Sequence, residues 1–61
     1  MKTIATSHSD VYYEIEELDI DFYMVHSCST DYCKTIGRFE TEEEAVLAAV
    51  KAIYRRGLAI A

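Results

Sequence analysis

The residues best suited to chemistry lie in the middle of the chain. His26-x-Cys28-x4-Cys33 offers three soft ligands, with His8 as a fourth. Structural zinc takes four ligands in a tetrahedron, usually from tight Cys-x2-4-Cys pairs. This spacing departs from that pattern, so we expect no metal and no cofactor: two buried thiols beside a core histidine. A Cys28–Cys33 disulfide across a hairpin end is allowed by geometry and matters only in an oxidising setting. Cys28 beside His26 is the one nucleophile–base pairing worth naming, and catalysis needs in addition an orienting group and a concave site. The expectation is a protein that is not an enzyme.

Those residues must be positioned by very little chain. The sequence has 61 residues, 51% hydrophobic and 28% charged, a globular composition that allows one domain, residues 1–61. A chain this short buries only about 60% of its unfolded surface, so stability is marginal without a staple or a partner. Length alone excludes nucleotide-cofactor folds and two-domain clefts. No apolar run approaches the ~18 residues of a membrane span. The start, Met-Lys-Thr-Ile-Ala-Thr-Ser-His, lacks an apolar h-region. We therefore expect a cytoplasmic protein with free cysteines, in the host cytoplasm if phage-encoded.

The net charge is -5 and unevenly spread. Residues 1–33 carry seven acids and one base, while residues 34–61 carry four acids and five bases. An acidic half repels phosphate backbones and attracts basic partners.

Val11, Tyr13 and Ile15 alternate with Tyr12, Glu14 and Glu16, the period of a strand. Glu17-Leu18-Asp19 reads as a tight acidic turn. Ile20, Phe22, Met24, His26 and Cys28 then alternate with Asp21, Tyr23, Val25 and Ser27. Residues 29–32 are turn chemistry and a third strand runs from Cys33 to Glu40. Residues 1–9 form a loose arm or an edge strand. A four-residue loop sets Cys28 against Cys33, His26 against Thr35, Met24 against Gly37 and Phe22 against Phe39.

From Thr41 the period changes. Thr41 with Glu44 is a capping box, and Glu42, Glu43 and Glu44 complement the helix dipole. Val46, Leu47, Val50, Ile53 and Tyr54 form an apolar stripe, and Gly57 suits a left-handed C′ position with Leu58 folding back on Ile53. The spacing predicts a helix over 42–56. The expected fold is α+β: a three-stranded antiparallel meander packed on one C-terminal helix (β-β-β-α, two layers), with Val11, Tyr13, Ile15, Phe22, Met24 and Phe39 under the helix.

The junction Ile36-Gly37-Arg38-Phe39-Glu40-Thr41-Glu42-Glu43-Glu44-Ala45 resembles the strand-to-helix junction of plant AP2-type DNA-binding domains. It is also similar to the arm-binding N-terminal domains of tyrosine integrases. Both share a Gly-x-Phe-x-Thr-x-x-x-Ala pattern on a three-stranded sheet followed by a helix. The resemblance covers about ten residues and implies that β-β-β-α fold. It implies DNA reading by arginines and aromatics on the open sheet face, or by Lys51, Arg55 and Arg56 on the helix. Here the sheet offers Arg38 and Lys34 against Glu14, Glu16 and Asp21, and we expect no direct DNA binding.

In size and charge the chain resembles small acidic phage-encoded inhibitors, including anti-CRISPR proteins, some of which mimic DNA. That resemblance implies an inhibitor or modulator of a basic macromolecular partner, such as a nucleic-acid-binding complex. The expected binding face is the open sheet: Tyr12, Glu14, Glu16, Asp21, Tyr23, Val25 and Ile36, tyrosine anchors inside a polar rim. The same face is the expected surface of a homodimer.

Overall fold

The computed structural model describes all 61 residues. Four strands, β1 (Lys2–Ala5), β2 (Tyr12–Asp19), β3 (Phe22–Cys28) and β4 (Cys33–Phe39), precede one helix, α1 (Glu42–Arg55). The strands form an antiparallel sheet in the order β1-β2-β3-β4, with α1 across one face. The α+β, two-layer architecture is as expected, but the meander has four strands. The N-terminal segment supplies the extra one, pairing Lys2 with Ile15 and Ala5 with Tyr12. Beyond it, Thr6 bridges Ile60, and the Ala61 N–H donates to the Ala5 carbonyl at 3.1 Å, so the chain's last residues cover part of the β1 edge. Thr6 is buried, and its hydroxyl lies 2.7 Å from the Val11 carbonyl, closing the loop into β2.

The register differs from a simple alternation at two places. Glu17 faces Tyr23 while Asp19 faces Phe22, so Leu18 is an unpaired extra residue in β2. Val25 faces Gly37 while His26 faces Thr35, so Ile36 is the extra residue in β4. Each is a β-bulge, which inserts one residue and changes which side the rest of the strand faces. The expected pairs Cys28–Cys33 and His26–Thr35, on the loop side of the Ile36 bulge, occur as expected. Beyond it, Gly37 lies opposite Val25 rather than Met24, and Phe39 opposite Tyr23 rather than Phe22.

As a result the faces of β3 are exchanged relative to the sequence reading. Tyr13, Ile15 and Val25 are buried beneath α1 with Ala45, Ala49 and Ile53. Phe22, Met24, His26 and Cys28 face away from the helix, paired with or next to Asp19, Glu16, Glu14 and Tyr12 of β2. Both alternations of β3 contain apolar residues. The β2 register decides between them, because Ile15 and Tyr13 must share a face with their partners Val25 and Ser27.

The helix is also turned from its expected stripe. Its packed face is built on Ala45, Ala49 and Ile53, with Val46 and Ala52 alongside, while Leu47 and Tyr54 are exposed. Alanines let the helix backbone sit close to a sheet that already carries the bulk of Tyr13. Both helix ends fall where the sequence predicts, but the capping box is half made, because the Glu44 carboxylate meets the Thr41 hydroxyl rather than the Thr41 N–H. Thr41 Oγ1 accepts from the Glu44 N–H at 3.1 Å, and the hydroxyl also lies 3.1 Å from Glu44 Oε1. Gly57, at φ +79°, donates to the Tyr54 carbonyl, and the Leu58 N–H to that of Ile53. That bond pair is a Schellman cap. Arg56 ties the helix end to the sheet, donating to the Tyr13 hydroxyl at 3.2 Å and to Ser27 Oγ at 3.3 Å.

Gly37 has a packing role. A Cβ there would stand 2.9 Å from Cε2 and Cζ of Phe39. Gly37→Ala must therefore displace the Phe39 ring from the core edge, and we expect a loss of about 1 kcal/mol, the low end of overpacking. A urea midpoint equal to wild type would show that the ring shifts without cost.

Candidate functional site

Two groups of residues stand out once the register is known. The first is the β2–β3 turn. Ile20 is 83% exposed and Leu18 51% exposed, both unusually open for large apolar side chains. The turn that carries them is held locally: the Ile20 N–H donates to Asp19 Oδ1 at 2.7 Å, and Asp21 takes a left-handed φ of 59°, which aspartate tolerates better than most residues. The Leu18 bulge sits one residue before Asp19 and turns that side chain out of the ladder.

Acids ring this tip. Glu17, Asp19 and Asp21 belong to the hairpin itself, and Glu42 at the start of α1 lines the same cleft as Glu17 and Tyr23. Two cations adjoin the tip: Lys2, 3.4 Å from Glu42 in an exposed pair worth little in free energy, and Arg38, stacked over Phe22 beside the turn. The Tyr23 hydroxyl donates to Glu17 at a long 3.4 Å. Its phenol is pushed above the ordinary tyrosine range, first by partial burial, then by the charge and hydrogen bond of Glu17 and the charges of Glu42 and Asp21. Glu17, Glu42 and Asp21 thus gather around one phenol at this end of the molecule. Lys51, Arg55 and Arg56 lie in the last turns of the helix and just beyond it, away from Glu42.

The second group is the open sheet face. Tyr12, Glu14 and Glu16 lie on it, opposite Cys28, His26 and Met24. His26 is held from both sides, Nδ1 at 2.9 Å from Thr35 Oγ1 and Nε2 at 3.0 Å from Glu16 Oε1. Arg38 stacks over Phe22, its guanidinium 5.1 Å from the ring centre. Cys28 and Cys33 are joined by a disulfide, with Cα atoms 4.0 Å apart. That corrects the expectation of free thiols, for the reason the register supplies: directly opposed residues on adjacent strands place their Cβ atoms within bonding reach. Glu14 Oε1 lies 3.5 Å from Cys28 Sγ and 3.9 Å from Cys33 Sγ. The bonded sulfurs carry no hydrogen, so these are contacts rather than hydrogen bonds.

The seven residues expected to share one face do not. Tyr12, Glu14 and Glu16 do. Val25 is completely buried under the helix, and Tyr23 lies on that same covered side, packed against the core. Ile36 is the β4 bulge and lines a groove with Phe39, Ala52 and Arg55 on the helix side. Lys34, opposite Ser27, also faces the helix side. Asp21 belongs to the turn. The physical cause is the pair of bulges, which break the alternation from which a common face was inferred. Sequence reasoning missed Leu18 and Ile20 as exposed apolar residues. The sequence carried no clear signal of this, because Ile15 between Glu14 and Glu16 has the same acidic neighbours and is buried.

Comparison with protein-family models, with curated proteins and with solved structures finds no match to this chain. No helix is long and apolar enough to cross a membrane.

Proposed function

We propose that this is a non-enzymatic interaction protein that presents its acidic, apolar-tipped β2–β3 hairpin to a basic surface of a macromolecular partner, which it inhibits or modulates. The observation that carries the reading is the tip itself: Ile20, 83% exposed, framed by Asp19 and Asp21 in a turn held by a side-chain hydrogen bond. A pre-ordered apolar residue inside a charged rim is the usual composition of an interface anchor. The surrounding carboxylates would speed association with a basic patch and make it salt-sensitive. A basic surface that normally holds nucleic acid is one such partner, in keeping with the inhibitor-like size and charge. The AP2-type alternative is less well supported, because Arg38 is the one cation among the paired positions of the open face and it is stacked on Phe22.

The test begins with capture from a host lysate on immobilised wild-type protein and on a Leu18→Ser, Ile20→Ser variant, both checked for an unchanged fold. A partner retained by wild type and lost by the variant supports the reading. Titrations with that partner should then show about a 30-fold weaker affinity for the variant, corresponding to ~2 kcal/mol. An Asp19→Asn, Asp21→Asn variant should associate more slowly and with a flatter salt dependence. A labelled random duplex should not be retained at ~150 mM salt. Affinity unchanged by the tip variant but lost in Glu14→Lys, Glu16→Lys would overturn the assignment and move the interface to the open sheet face.

A further inference from the structure

We propose that reduction of the Cys28–Cys33 disulfide converts the end of the open sheet face into a binding site for a zinc-class divalent cation, with Cys28, Cys33 and Glu14 as its protein ligands. The cluster is independent of the hairpin tip and lies at the other end of β2.

Three observations carry it. The two sulfurs and a Glu14 oxygen lie within 4.8 Å of one another, a soft–soft–hard donor set that suits zinc. The Glu14 oxygen is 3.5 and 3.9 Å from the two sulfurs. Zn–S bonds of about 2.3 Å and Zn–O bonds of about 2.0–2.2 Å meeting at a tetrahedral angle place sulfur and oxygen about 3.6 Å apart, so the carboxylate already stands near its coordination distance. Finally, Glu14 has no hydrogen-bond donor: its close polar neighbours are those sulfurs. A half-buried carboxylate is aimed at atoms that give it nothing while they are bonded to each other. Cys28 is buried and Cys33 exposed, which anchors one ligand in the sheet and leaves the site open to an entering ion.

The chemistry balances simply. A dithiol reductant supplies two electrons and two protons, the Sγ–Sγ bond breaks, and the reductant leaves as its own disulfide. The cation then displaces the two thiol protons, and Cys28, Cys33 and Glu14 bind it as three anions. Water completes the tetrahedron. His26, paired with Glu14 across the strands, carries nitrogen donors, but both its ring nitrogens are occupied by Thr35 and Glu16.

The experiment uses the full chain, reduced with a phosphine that is then removed under anaerobic conditions, and the oxidised chain in parallel. Each is titrated with Co(II), read by thiolate-to-cobalt charge-transfer absorption, and with Zn(II) against a chromophoric chelator, with circular dichroism following the fold. One equivalent should bind the reduced protein, and the oxidised protein should bind at least about 100-fold more weakly. Glu14→Gln should retain the charge-transfer band and lose roughly tenfold or more in affinity, the scale seen even for groups one step removed from a metal. His26→Ala should bind within a few-fold of wild type. Equal affinity in the two redox states would overturn the proposal, as would an unaffected Glu14→Gln or a reduced chain that unfolds and is not restored by zinc. A loss in His26→Ala as large as that in Glu14→Gln would overturn the ligand set.

Discussion

Ile53→Ala is expected to unfold a large fraction of the protein at 37 °C. Ile53 is fully buried and is the one large side chain that α1 places in the core cluster, where its helical neighbours are Ala45 and Ala49. Truncation therefore removes most of the bulk by which the helix holds Tyr13, Ile15 and Val25. Replacing a buried isoleucine by alanine costs about 2–5 kcal/mol, including the cavity left behind. A domain of this size has roughly 3–9 kcal/mol in all. The matched control is Leu47→Ala, on the exposed side of the same helix, which should change stability by no more than about 0.5 kcal/mol. Urea titrations followed by circular dichroism compare the two. Equal losses would mean that α1 packs through the Leu47 and Tyr54 stripe.

The second large effect is loss of the disulfide. Cys28 and Cys33 are five residues apart in sequence, so the bond closes a loop of six residues. By the loop-entropy relation a closure that short restricts the unfolded chain by about 2 kcal/mol. Cys28→Ser, Cys33→Ser should remain folded with its urea midpoint lowered by that amount, because the turn is also closed by the Ser29 N–H donating to the Tyr32 carbonyl at 2.9 Å. Metal-free wild type in reductant should show the same loss, and the double variant should not respond to reductant at all. A double variant as stable as oxidised wild type would show that the bond adds nothing.

What the sequence made legible was what depends on local chemistry. Thr41 with Glu44, and Gly57 with Leu58, announce a helix start and stop whose hydrogen bonds involve neighbours in the chain. The loop after Cys28 was readable because four turn residues leave one sensible pairing for Cys33. The faces of β3 were not readable, because Phe22 and Met24 on one side match Tyr23 and Val25 on the other in apolar character. The bulge at Leu18 has no glycine or proline to announce it, and Gly37, beside the bulge at Ile36, was the one local signal of either. The N-terminal strand is hard to read because Ile4 is its one large apolar residue, and its place depends on pairing with β2 across 7 to 13 residues of chain. The candidate site shifted for the same reason. Tyr12, Glu14 and Glu16 lie within one unbroken alternation and kept their common face, whereas Tyr23, Val25 and Ile36 were separated from them by the register.

The bulge at Ile36 bears on how the protein behaves at high concentration. β4 is an outer strand whose far side has no neighbour, and a flat strand of that kind is a template on which further chains can stack edge to edge. Here the extra residue bends the strand in its middle, and Lys34 and Arg38 stand two positions to either side of it. Because the bulge switches faces between them, Lys34 points to the helix side and Arg38 to the open side, so both faces of this border carry a cation. Kink and charge together make this border a poor seed for fibrils, so a chain with so small a core can keep a sheet edge open to solvent without polymerising along it.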